Sequence, residues 1–160
     1  MHPKLEAAFN ILKTDSFLIN TCLKDLKEED AYTRPNGTGN SLLFLVGHIT
    51  ASRYSIAKLL GVEKQFPWPE IFSRGVEVSD DTTYPKLTEV ISAYDEISKI
   101  TAEALESASA ELLEAKCPFD LPASDGTILG AMGFFALHET YHVGQMAYVR
   151  RLLGYSQLVG

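Results

Sequence analysis

"TILGAMGFFALHETYHVGQMAYVRRLLG", residues 127–154, is the stretch that decides the fold. Apolar and histidine side chains recur in it every three or four residues, which predicts one long helix with a continuous buried face. Either Asp125 or Thr127 can cap its start, and Gly154 is expected to end it. The predicted buried face consists of Ile128, Met132, Phe135, His138, His142, Met146, Val149 and Leu153.

Three further stretches have the same periodicity. The first runs from about Pro3 to Leu26 and the third from near Pro85 to Leu105. The second begins after a cap at Asn40 or Ser41 and is expected to end at Gly61. The chain therefore contains four candidate long helices and no alternation typical of strands.

The connections between these helices predict how they are ordered. Residues 61–84 are rich in Pro, Gly and polar side chains, which predicts a connection rather than a helix. A connection of that length can run the height of a bundle, so that the third helix lies parallel to the second. One short helical turn is expected around residues 111–115. The sequence thus predicts an all-α protein, a four-helix bundle in up-down-down-up order, as a single domain over residues 1–160.

The composition excludes several classes of partner. The 160 residues are 46% hydrophobic and 22% charged, which is typical of one globular domain. A net charge of -7 repels phosphate backbones and anionic lipid, so we expect neither nucleic acid nor a membrane as partner. The start of the chain has no secretory pattern and the longest apolar run covers only residues 42–46, which predicts a cytoplasmic location. Cys22 and Cys117 lack metal or redox spacing and are expected to be reduced core thiols.

Two histidines on the last helix have the spacing of metal ligands. His138 and His142 are four residues apart, which places their Cβ atoms about 5–6 Å apart on one helix face. The same letters also read as the His-Glu-x-x-His pattern of zinc peptidases, whose third ligand lies downstream. No Asp, Glu or His follows His142, so a further ligand must come from upstream.

His48 is the candidate third ligand. It lies on the inward side of the second helix, whereas His2 is at a terminus that is expected to fray. Three histidines with open coordination positions are typical of catalytic metal sites. The alternative is a hydrogen-bonded polar seam, but burying imidazoles without partners costs about 1–3 kcal/mol each, which favours a metal.

The sequence is less specific about the roles of other residues near the motifs. Glu139 is a candidate general base, although its position about 100° around the helix from the first ligand favours a solvated or supporting role. Gln145 can orient a ligand or pack between helices, and Arg53 is expected at the surface. Gly47 and Gly144 predict close approach of neighbouring helices. Three aromatic residues are candidates for the mouth of an apolar pocket or for packing alone: Tyr54, Phe66 and Trp68.

"LVGHITASRYSIAKLLG", residues 45–61, and "LHETYHVGQMAYVRRLLG", residues 137–154, together resemble the DinB/YfiT-like superfamily. The resemblance implies a four-helix bundle, often a homodimer, that binds a divalent metal ion such as nickel or zinc, with iron a further candidate. Matched residue by residue, the implied ligands are His48, His138 and His142. The chain departs from many members at Tyr141 and Val143, where they carry a basic or second histidine residue.

The resemblance implies a range of reactions. Relatives include thiol S-transferases that use low-molecular-weight thiols such as bacillithiol or mycothiol, a maleylpyruvate isomerase and suspected hydrolases. We therefore expect a metal-dependent enzyme that activates a thiol cosubstrate or water and acts on a small molecule. The alternatives are a non-catalytic dimeric binding or stress-response protein with an empty metal site, and a peptidase, which the missing downstream ligand disfavours.

Overall fold

Four long helices and three short ones form the part of the chain that the structure describes. The computed structural model describes residues 1–76, 82–122 and 124–159. No strand occurs within these residues, which confirms the predicted all-α protein, and none of their helices is long and apolar enough to cross a bilayer. The helices are α1 (Glu6–Leu23), α2 (Glu28–Ala31), α3 (Leu42–Leu59), α4 (Pro69–Phe72), α5 (Leu87–Ser107), α6 (Ala110–Glu114) and α7 (Ile128–Leu152), with 3-10 turns at Pro3–Leu5 and Pro35–Gly37.

The two helices that carry the histidines begin and end at residues suited to these positions. Ser41 caps α3 and Thr127 caps α7, since each hydroxyl accepts a hydrogen bond from the backbone N–H three residues later, at 3.2 and 3.0 Å. Gly61 and Gly154 follow the helix ends with φ angles of 86° and 89°. These left-handed conformations are readily adopted by glycine, so they end the helices where the sequence predicts.

The other two long helices have different bounds from the predicted ones. The first begins as the 3-10 turn Pro3–Leu5 and ends at Leu23, three residues early. The third begins two residues after Pro85, because the Glu89 carboxylate accepts the Lys86 N–H at 2.8 Å and fixes the first turn there.

The long connection between α3 and α5 contains one helical turn, α4. Residues 77–81 of the predicted 61–84 connection lie outside the described residues. The short turn predicted around residues 111–115 is α6, one residue earlier. Residues 61–76 matter for function, because they lie beside the histidines described below.

α3 packs against both α5 and α7, and α7 packs in turn against α1. The buried side chains form two main apolar clusters along these helices. In one cluster, the first half of α3 lies with the end of α1, the start of α5 and the end of α7. In the other, the second half of α3 lies with the start of α1, the end of α5 and the start of α7. The histidines of α3 and α7 lie where these two halves meet.

α7 also presents an exposed, largely apolar face, with Arg151 as a charged residue near its end. Its members are spaced three or four residues apart, so they form one stripe about 29 Å long. The aromatic rings on it are largely uncovered, with Tyr141 62% and Tyr148 67% exposed. The stripe consists of Gly133, Leu137, Tyr141, Gly144, Tyr148 and Leu152.

Candidate metal centre

The structure brings the three predicted histidines together between α3 and α7. The Nε2 atom of His138 lies 3.2 Å from Nε2 of His48 and 3.1 Å from Nε2 of His142. The candidate donor atoms of all three residues lie within 4.8 Å of one another. The three side chains, from two separate segments, could therefore hold one metal ion.

The other ring nitrogen of two histidines has a strong acceptor. Nδ1 of His48 lies 2.7 Å from the backbone carbonyl oxygen of Phe72, which follows from the position of α4. Nδ1 of His142 lies 2.7 Å from Oε1 of Gln145, one turn further along α7. A carbonyl oxygen only accepts hydrogen bonds, so each Nδ1 carries the proton and each Nε2 keeps its lone pair.

Nδ1 of His138 also faces a hydrogen-bond acceptor, but at a longer distance. The Ser52 hydroxyl donates to the backbone carbonyl of His48 at 3.1 Å and lies 3.5 Å from Nδ1 of His138. With its proton engaged, this hydroxyl can only accept from the imidazole. All three Nε2 atoms thus keep a lone pair that could bind one ion.

The surroundings favour the neutral, metal-binding form of His138 and His142. Burial, followed by the charges of His142, His48 and Arg74, lowers the pKa of His138 to about 4. Burial also lowers the pKa of His142, although its hydrogen bond to Gln145 opposes that shift. Metal binding needs an unprotonated nitrogen, so these ligands are available at neutral pH without the loss of a proton.

The donor set and its spacing fit a divalent transition metal. Neutral imidazole is a ligand for zinc, nickel, copper and iron. Nitrogen ligands at about 2.0–2.1 Å from a tetrahedral ion lie about 3.3–3.4 Å apart, close to the measured 3.1 and 3.2 Å. The lone pair of His138 at these distances from the other two repels them unless a cation lies between the rings, so the arrangement favours a bound ion.

A large cavity opens beside the histidines. Its volume is about 1330 Å³, and His48 and His138 form part of its wall. Tyr54 and Phe66 also line it, as the sequence suggested. Trp68 does not line it and instead packs edge-on against Phe66. The cavity gives a small molecule access to the histidine cluster.

Glu139 does not face this cavity. Its carboxylate is 1% exposed and accepts two hydrogen bonds from the Arg53 guanidinium, one of them at 2.6 Å from Nε to Oε2. Burial raises the pKa of Glu139, and the positive charge of Arg53 opposes that rise. The expectation of a solvated Glu139 is therefore wrong. Its role as a general base stays a prediction, and these contacts weigh against it.

Arg53 is also placed differently from the expectation. It is 3% exposed rather than on the surface, because its guanidinium is enclosed by polar groups of α1. Nη2 donates to the carbonyl oxygen of Leu12 at 2.8 Å and to the hydroxyl of Ser16 at 3.1 Å. The pair of Arg53 and Glu139 thus connects α1, α3 and α7 directly beneath the histidine cluster.

The structure also tests the predictions for the two glycines and for the terminal histidine. A Cβ atom on Gly47 would lie 2.5 Å from the ring of Phe72, so the close approach is to the short helix α4 rather than to another long helix. Gly144 is exposed with open space around it, so the prediction that a neighbouring helix of the same chain approaches it is wrong. His2 lies apart from the cluster, where its Nδ1 accepts the Lys4 N–H at 3.2 Å.

Three groups around the site were missed by the sequence reasoning. Ser52 follows His48 by one helical turn, so helical spacing alone could have identified it. The Phe72 carbonyl and the Arg74 side chain belong to a connecting segment. No periodicity places such a segment, so no sequence signal pointed to them.

The histidine motifs and the helical fold agree with a comparison with known families. No curated protein matches the chain. The model of the DinB superfamily matches residues 18–146, which include all three histidines. Because this match covers most of the 160 residues, the chain belongs to the DinB superfamily.

Proposed function

We propose that this protein is a divalent-metal-dependent enzyme of the thiol S-transferase or hydrolase type. The observation that carries the proposal is the convergence of three Nε2 atoms, each on a ring whose Nδ1 faces its own acceptor. Zinc and nickel are the proposed ions, with iron a further candidate. A four-helix bundle in up-down-down-up order, forming a single domain, is part of the same proposal.

The protein groups around the site would hold and orient the reactants. A divalent ion bound by the three histidines would lower the pKa of a thiol or water molecule in an open coordination position. Phe72, Gln145 and Ser52 would fix the imidazole rings through Nδ1. The cavity wall beside His48 and His138 would position the second reactant. A low-molecular-weight thiol is the proposed cosubstrate of the transferase reaction.

Metal analysis of purified protein tests the ligand assignment. His48→Ala, His138→Ala and His142→Ala should each lose most of the bound metal, because two imidazoles alone bind an ion weakly. His2→Ala is the matched control and should retain wild-type metal content. Stoichiometric metal in His48→Ala, measured by inductively coupled plasma mass spectrometry, would contradict the assignment.

Turnover assays test the activity. Metal-loaded protein should consume a thiol together with an electrophilic acceptor, or hydrolyse an ester or amide, and the three ligand variants should not. A compound that raises the melting temperature without turnover would instead support the non-catalytic binding protein. Peptidase activity that is lost in Glu139→Gln, with fold and metal content retained, would support the peptidase alternative.

We also propose that the protein forms a homodimer through the exposed stripe of α7. If two copies of this helix pair antiparallel, each small residue of the stripe meets a large one. Gly133 then lies opposite Leu152, Tyr141 opposite Gly144, and Leu137 opposite Tyr148. This self-complementary order suits a two-fold contact.

Sedimentation equilibrium tests the dimer. The wild-type protein should sediment as a dimer and Tyr148→Glu as a folded monomer, since a carboxylate would be buried in the contact. A monomeric wild type would contradict the proposal. The cytoplasmic location stays a prediction from the sequence.

A further inference from the structure

The cavity beside the histidines has the shape of a trough. α3 forms its floor through small side chains at helical spacing after His48, namely Ala51, Ser52 and Ser55. Lys58 lies at the far end, ten residues along the helix from His48, which corresponds to about 15 Å. The trough is therefore long enough for an extended small molecule with one end at the histidines.

The walls of the trough are largely aromatic. Phe66 comes from the connection after α3, and Phe119 from the connection before α7. Phe134 stacks on the ring of His138 with 5.9 Å between the ring centroids. These faces would cover an apolar body better than a polar one.

The ionisable groups are unevenly placed along the trough. At the far end, cations and carboxylates are mixed: Lys58, Glu63 and Lys64 lie together in the chain, and Lys64 is paired with Glu96 outside the cavity. Asp120 belongs to the same end, because its neighbours Phe119 and Leu121 pack on the cluster formed with the second half of α3. The far end therefore has no strong preference for either charge.

Arg74 is the charged group at the histidine end. It follows Phe72, whose carbonyl oxygen holds His48, by two residues, and it lines the cavity with both His48 and His138. It is close enough for its positive charge to act on His138. Among the described residues, no hydrogen bond or ion pair engages its guanidinium. A planar guanidinium in this state matches a carboxylate with two parallel hydrogen bonds.

We propose that the cavity binds an organic carboxylic acid, with the carboxylate on Arg74 beside the histidine cluster and the apolar body along the floor of α3. This inference rests on the proposed function only in taking the bound acid to be the substrate. Binding of the acid through Arg74 itself needs no metal. The net charge of -7 on the whole chain makes this local preference for an anion a property of the site rather than of the surface.

The test compares two probes that differ only in charge, 4-phenylbutyrate and its neutral amide, 4-phenylbutanamide. Trp68, the single tryptophan, packs against Phe66 of the cavity wall and reports binding by fluorescence. Wild-type protein should bind the acid at least about 10-fold more tightly than the amide, because a charge-assisted hydrogen bond replaces a neutral one.

Variants identify the group responsible. Arg74→Gln should remove the preference for the acid, and Arg74→Lys should retain part of it, since the charge remains but the planar fork is lost. Lys64→Gln is the matched control, because Lys64 lines the same cavity but is already paired with Glu96. It should keep the wild-type preference.

The same titrations, with and without a chelator, separate this inference from the proposed function. A preference for the acid that persists without metal and depends on Arg74 supports the inference even if the protein binds no metal. Equal binding of both probes, no binding of either, or a preference unaffected by Arg74→Gln would overturn it. A preference for the acid that requires metal but is unchanged in Arg74→Gln would overturn the inference, and it would still agree with the proposed metal site.

Discussion

Replacing Glu139 by Gln is the sharpest test of the polar network beneath the histidines. Glu139 and Arg53 are 1% and 3% exposed, and the carboxylate accepts from both Nε and Nη2 of the guanidinium. In Glu139→Gln the guanidinium keeps the Leu12 carbonyl and the Ser16 hydroxyl but loses the carboxylate that contacts it directly. The amide nitrogen also cannot accept a hydrogen bond where a carboxylate oxygen did.

The expected loss is large for one substitution. Removing one partner of a buried ion pair leaves an uncompensated buried charge, which costs about 3–5 kcal/mol of the free energy of unfolding. For a chain of 160 residues this lowers the melting temperature by about 6–20 °C. Urea and thermal unfolding, followed by circular dichroism with a chelator present, measure the loss without a contribution from bound metal.

Two further variants make the result interpretable. Glu96→Gln breaks the exposed pair with Lys64 and should leave the unfolding midpoint close to wild type, since water screens that pair. The double variant Arg53→Leu with Glu139→Leu should be more stable than Glu139→Gln, because no buried guanidinium is left without its carboxylate partner. A loss below about 1 kcal/mol in Glu139→Gln, a value typical of surface pairs, would refute the reasoning.

Three other predictions follow from the contacts around the site. Gln145→Leu should weaken metal affinity about 10- to 100-fold in a chelator competition assay, because it removes the acceptor that orients a ligand ring, whereas Gln145→Glu should not. Gly47→Ala should lower stability by about 1–3 kcal/mol in urea unfolding, since its methyl group would overlap the ring of Phe72, whereas Gly144→Ala should not destabilise the helix. Cys22 should resist Ellman's reagent in the native protein at neutral pH and react only as the pH approaches its pKa, because burial raises the pKa of this thiol to about 11 despite the charge of Arg150 nearby.

The pattern of apolar residues was sufficient to identify the long helices and their buried faces. Helical periodicity depends only on local geometry, so it could be read at each of the four stretches. The helix ends at Gly61 and Gly154 could be predicted in the same way, because a glycine ends a helix through its own backbone conformation. Where two caps were available, at Asn40 or Ser41 and at Asp125 or Thr127, the sequence left the choice open. Side-chain hydrogen bonds in the folded chain chose Ser41 and Thr127.

The metal ligands were predictable for a different reason. His138 and His142 share a helix face by spacing alone, and since no Asp, Glu or His follows them, His48 is the candidate third ligand upstream. The third ligand could therefore be predicted because the other candidate residues were excluded, although its distance from His138 and His142 was unknown. The measured separations of 3.1 and 3.2 Å between Nε2 atoms come from the packing of α3 against α7.

The sequence by itself determined the helices, their inward faces and the three imidazoles, because each follows from residue type and spacing along one segment. Only the tertiary structure decided what surrounds them. It buried Arg53 with Glu139 and brought the carbonyl of Phe72 to His48, and it also placed Arg74 at the histidine end of the cavity. These contacts join residues that are distant in the chain or lie in connecting segments. Their positions depend on how the helices pack, which no local pattern encodes.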